Sequence, residues 1–146
     1  MKWIYVILAL VAGAAMPLQA GINLRLRYSL GDPVFAALVS FAVGALALAA
    51  YSFATRPVPT LAMASGAPWW AWTGGMLGAF FVTVTIVLAA NLGAATSMAW
   101  LLAGQFAAAL VLDHFGLVSY AVHGVSWQRV AGVALVVVGA LLVNKY

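Results

Sequence analysis

Between Arg56 and Asp113 the chain carries no formally charged residue. That gap is far longer than one bilayer crossing needs, since about 20 apolar residues span the hydrocarbon as a helix. Lys2, Arg25, Arg27, Asp32, Arg56, Asp113, Arg129 and Lys145 are the complete set of charges, and none interrupts a long apolar run. A charge at the bilayer centre costs about 2.5–3.5 kcal/mol on insertion scales. A sequence that confines its charges to the ends of apolar runs is therefore suited to lipid. The chain is 67% apolar and 5% charged, whereas a soluble domain is about a quarter charged, so a water-soluble core is excluded. The 146 residues are expected to form a single integral membrane domain, 1–146.

Local punctuation divides the chain into five helices, so the expected fold class is all-α, polytopic and membrane-spanning. Helix one covers about 3–24 and ends at Arg25 and Arg27. Lys2, the apolar stretch and Leu18-Gln19-Ala20 resemble a leader with its cleavage site. The apolar run continues past that point, so the segment is expected to be a retained helix. Helix two, about 33–54, starts where Asp32 can cap free N–H groups and Pro33 suits the first turn. Thr55-Arg56-Pro57-Val58-Pro59 stops it, because a residue before proline is pushed out of helical geometry. Pro68 opens helix three, about 68–91, with Trp69, Trp70 and Trp72 marking a headgroup interface. Asn91-Leu92-Gly93 breaks the long uncharged stretch, and helix four, about 94–113, follows as an antiparallel neighbour. It closes at Asp113-His114-Phe115-Gly116. Ser126 is a candidate cap for helix five, about 127–144, whose short apolar part is lengthened by snorkelling of Arg129 and Lys145.

An odd number of spans places the termini on opposite sides. Lys2, Arg56 and Arg129 then share one face, and Arg25, Arg27 and Lys145 share the other. Basic residues set orientation, and three against three leaves it undetermined. Two readings fit: weak signals resolved during insertion or a span drawn wrongly, or dual topology with oppositely inserted copies pairing.

Several function classes find no support. No basic patch with interleaved aromatics exists, so nucleic acid is not an expected partner. The chain has no cysteine and no glutamate, and it lacks a nucleophile motif and a phosphate-binding glycine loop. His114 and His123 lack metal-ligand spacing. No enzyme activity, metal or cofactor is expected.

Polar residues within spans are the stronger pointers, because each needs a partner or water. Gln19 and Asn23 share one face of helix one, just after Pro17, which removes a hydrogen bond and is expected to kink the helix. Ser97, Gly104, Gln105 and Ala108 form a small-and-polar stripe on helix four, with Gln105 near mid-span. Gly74 and Gly78 form GxxxG, which permits close helix approach in lipid. Phe81 continues that stripe, and Gly132 and Gly139 share a face of helix five. No carboxylate lies deep in a span. Proton coupling, if present, would fall to the peripheral Asp113, and the solute need not be a cation.

Pro68-Trp69-Trp70 followed by Gly74-Gly75-Met76-Leu77-Gly78-Ala79-Phe80-Phe81-Val82 resembles the third-helix signature of the YdcZ-like branch of the drug/metabolite (EamA-like) transporter superfamily. Asn91-Leu92-Gly93-Ala94-Ala95-Thr96, Gly104-Gln105, Asp113-His114-Phe115-Gly116 and the stretch from Arg129 to Gly139 are similar to later parts of the family pattern. The resemblance implies a single five-helix repeat in the bacterial inner membrane, transporting a small solute. It also implies an antiparallel dimer, formed either with a second copy or with an inverted homologous subunit. On that expectation the cavity is lined by helices one, three and four. Gln19, Asn23, Ser97 and Gln105 would supply polar groups, and Trp69, Trp70 and Phe81 the walls. Gly74, Gly78, Gly132 and Gly139 would supply packing or dimer contacts. A dimeric ion channel with amide-lined pores and a non-transporting assembly subunit are the competing readings.

Overall fold

The structure, a computed structural model, describes residues 2–56 and 65–146, with Lys2 described by its backbone alone. Among the described residues, five helices are long and apolar enough to cross a membrane. Helix α1 spans Lys2–Leu30, α2 Pro33–Thr55, α3 Gly74–Leu92, α4 Ala94–Phe115 and α5 Trp127–Lys145, with a short 3-10 helix, Trp69–Thr73, before α3. Among the described residues there is no strand.

Helix α1 ends at Leu30 rather than Leu24, so Arg25 and Arg27 lie inside it. Leucine and arginine are good helix formers, and a basic residue in the last turn suits the helix dipole. Gly31, the first glycine after Arg27, ends the helix in a left-handed conformation with φ of 79°. Asp32 then caps α2, its Oδ1 accepting from the N–H of Val34 at 2.7 Å and of Phe35 at 3.0 Å. Pro57 and Pro59, expected to stop the second helix, lie outside the described residues. The helix itself ends at Thr55, with Arg56 extended as its C-cap. Pro68 caps the 3-10 helix that carries Trp69, Trp70 and Trp72, and α-helical geometry begins only at Gly74.

The chain divides into two compact units, Met1–Asn91 and Leu92–Tyr146. In the first, α1 packs on α2 across the two-residue turn. A cluster of Ala36, Ala37, Val82 and Ile86 joins α2 to α3, with Leu26 and Phe81 against it. Alanines at this contact let helices approach closely, which replaces the hydrophobic drive that lipid cannot provide. Gly78 serves the same end, since a Cβ there would lie 3.2 Å from Cζ of Phe41.

In the second unit α4 and α5 pack together, and each contributes a buried alanine, Ala103 and Ala140. Trp100 Nε1 donates to Asn144 Oδ1 at 3.4 Å near one end of the pair. At the other end α4 closes on Gly116, whose left-handed φ of 61° brings Val122 so near that a Cβ would meet its Cγ2 at 2.6 Å. Val118 and Ser119 also take left-handed φ angles, 53° and 70°, a strained geometry for a β-branched residue. Most large apolar side chains of both units are exposed, as expected for surfaces that meet lipid.

Candidate functional site

Residues four apart share a helix face, so α1 presents Gln19, Asn23 and Arg27 as one polar track. Beside it Ala20 is buried, and Asn23 is only 3% exposed. The Asn23 Nδ2 and Arg27 Nη1 atoms are fully buried and meet no hydrogen-bond acceptor, the two such side-chain atoms among the described residues. A buried unpaired polar group costs about 1–3 kcal/mol, more when charged. Other polar side chains in the spans avoid that cost locally. Thr83, Thr85, Asn91 and Ser97 each donate to a carbonyl of their own helix or its cap, at 2.8, 2.8, 2.7 and 2.6 Å.

One turn before Asn23, Gln19 lines a groove of about 260 Å3 with Ser40, Phe41, Gly44, Ala45 and Leu48 of α2. The groove is apolar along most of its wall, with the amide of Gln19 and the hydroxyl of Ser40 as polar points. Pro17 lies within α1 on the half-buried approach to this track. Gln19 and Asn23 thus occur together on the first unit as their spacing suggests. Arg27 joins the track although the sequence reads it as a charge flanking a helix; its four-residue step from Asn23 and the lack of a breaker between Arg27 and Gly31 point to it.

The remaining candidates divide between the two units. Trp69 and Trp70 are exposed in the 3-10 helix, and Phe81 is half-buried against the first unit's core. Ser97 is completely buried, with its hydroxyl committed to Gly93. Gln105 is exposed and lines neither groove of the α4–α5 pair. Of the four candidate packing glycines, Gly78 meets a side chain closely, whereas Gly74, Gly132 and Gly139 have open space where a Cβ would stand.

Asp113 has a partner. Its carboxylate pairs with the Arg129 guanidinium, and Arg129 Nη1 also donates to the His123 carbonyl at 3.1 Å. The backbone N–H of His123 donates to the Asp113 carbonyl at 2.8 Å. The N–H of Val125 donates to His114 Nδ1 at 3.3 Å, and the Ser126 hydroxyl accepts from the Arg129 N–H at 3.3 Å. These bonds form a clasp that holds the α4–α5 connection over its strained turn, with both histidines occupied in it.

Residues 4–142 match the family model described as "Putative inner membrane exporter, YdcZ". The chain belongs to the YdcZ family. It is 30% identical over 141 residues to the inner membrane protein YdcZ of Escherichia coli strain K12, covering 93% of this chain and 91% of that protein. No solved structure matches. The inner-membrane setting in the family's description agrees with the five apolar spans. Within the YdcZ match lie the whole polar track of α1, the Trp69-Trp70 pair and the Asp113–Arg129 clasp.

Proposed function

We propose that this YdcZ-family chain exports a small solute across the inner membrane by alternating access, working as an antiparallel dimer. The observation that carries the reading is the buried, unpartnered Asn23 amide one turn from the Gln19 groove. Membrane proteins rarely keep a polar group in a span without a partner, and one that lacks it is the natural place for a solute. Pro17 gives α1 a weakened turn beside the site, which suits a wall that must move. Trp69, Trp70 and Phe81 supply apolar surface on the same unit. Gly74, Gly132 and Gly139, open within the chain, are the surfaces offered to a second copy, and the even split of basic residues favours copies of both orientations.

Purified protein in vesicles, tested with a solute panel for uptake and counterflow, checks the activity. Gln19→Leu and Asn23→Leu are expected to lower flux at least tenfold while the protein still folds, and Gln105→Leu tests the stripe on α4. Absence of flux from folded dimers refutes transport, and flux without counterflow favours a channel. The cysteine-free sequence allows single cysteines at positions 2 and 145 to be labelled from either side in cells. Each is expected to label from both sides. Labelling of each from one side alone refutes dual topology and leaves an inverted homologous subunit as the partner.

A further inference from the structure

We propose that Asn23 and Arg27 form a binding site for an oxyanion, a carboxylate or phosphate group carried on an apolar body. The two buried orphan atoms are both nitrogens, and a guanidinium has donors only. What they lack is therefore an acceptor, and the chain has little to offer. It contains two acidic residues and no glutamate. Asp32 is engaged at the N-terminus of α2, where one oxygen takes both cap hydrogen bonds, and Asp113 is paired with Arg129. The α1 carbonyls in the turns around Asn23 and Arg27 are occupied by N–H groups four residues on, that of Arg27 by Gly31.

The geometry narrows the ligand. Cβ atoms four residues apart on a helix lie about 5–6 Å from each other, so an amide and a guanidinium at that step can share one planar or tetrahedral oxyanion. The arginine fork suits both shapes. The next turn of α1 leads to the groove of Gln19, Phe41, Ala45 and Leu48, which fits an apolar body rather than a second charge. An organic cation is disfavoured, because the only formal charge on this track is positive. As a substrate class for export this rests on the proposed solute path, whereas as a binding site it stands without it. A free organic anion and an anionic lipid share this chemistry.

The test is binding, read as the thermal midpoint of tryptophan emission from the purified full chain in neutral detergent. Benzoate and inorganic phosphate are the free anions, with chloride at equal ionic strength and benzylamine as controls. Nanodiscs of phosphatidylglycerol against phosphatidylcholine form the lipid arm. At least one oxyanion is expected to raise the midpoint by about 2 °C or more, whereas the controls do not. Arg27→Gln is expected to lose the response. Asn23→Asp provides Arg27 with an internal carboxylate, so it should melt higher than the parent chain without ligand and ignore added anion. A response to phosphatidylglycerol alone supports the oxyanion site with lipid as its source. No response in any arm, an undiminished response in Asn23→Asp, or equal stabilisation by benzylamine overturns the proposal. Solute flux with no Arg27-dependent binding removes the anion site and leaves transport standing. Anion binding with no flux does the reverse.

Discussion

Neutralising the Asp113–Arg129 pair separates a structural clasp from a proton-coupling carboxylate. The pair is partly exposed, with side chains 23% and 37% accessible for Asp113 and Arg129. Fully exposed pairs contribute about 0.2–1 kcal/mol, whereas removing one partner of a buried pair costs about 3–5 kcal/mol. The observed exposure places the coupling between these limits, at about 1–1.5 kcal/mol. Asp113→Asn keeps an acceptor oxygen and loses the charge, so its cost should equal that coupling. Arg129→Leu also loses the 3.1 Å bond to the His123 carbonyl, adding about 0.5–1.5 kcal/mol. A double-mutant cycle, read by reversible unfolding in mixed detergent with helical circular dichroism, isolates the shared part. A single cysteine at Tyr120 gives a local readout, and its labelling should accelerate about tenfold in Asp113→Asn, since 1.4 kcal/mol is a factor of ten. Additive single costs, with coupling below about 0.3 kcal/mol, refute the clasp. Unchanged labelling combined with loss of pH-gradient-driven flux assigns Asp113 to coupling instead.

Two further substitutions probe helix packing and termination. Gly78→Ala places a methyl 3.2 Å from the Phe41 ring tip and is expected to cost about 1 kcal/mol, whereas Gly132→Ala, with open space, should leave the unfolding midpoint unchanged and alter only the dimer fraction in crosslinking. Asp32→Ala removes the acceptor of two cap hydrogen bonds, for an expected loss of about 1 kcal/mol in the unfolding assay; Asp32→Asn should retain most of it.

The helices were legible where their causes are local. Asp32-Pro33 specifies a start within three residues, and Gly93 and Gly116 end or separate helices through a backbone conformation that glycine adopts without strain. The end of α1 is not legible in this way, because arginine reads as a boundary although its long side chain is fully compatible with a helix that continues toward the interface. Site residues were legible only as pairs on one face. Gln19 with Asn23 follows from the four-residue step, but Ser97 and Gln105 have similar polarity and opposite burial. Composition cannot distinguish them, because burial depends on which neighbour covers a face.

The sequence by itself determined residence in the membrane, five spans and family membership. Hydrophobic length and charge placement act through transfer free energies summed along the chain, and these need no knowledge of packing. Tertiary structure decided which polar groups find partners. It joined Asp113 to Arg129, committed both histidines to the same turn, and seated Gly78 against Phe41 while leaving the other motif glycine, Gly74, open. It also left Asn23 Nδ2 and Arg27 Nη1 buried without acceptors. Hydrogen bonds form over about 3 Å, so their presence or absence is settled only when residues distant in sequence are brought together.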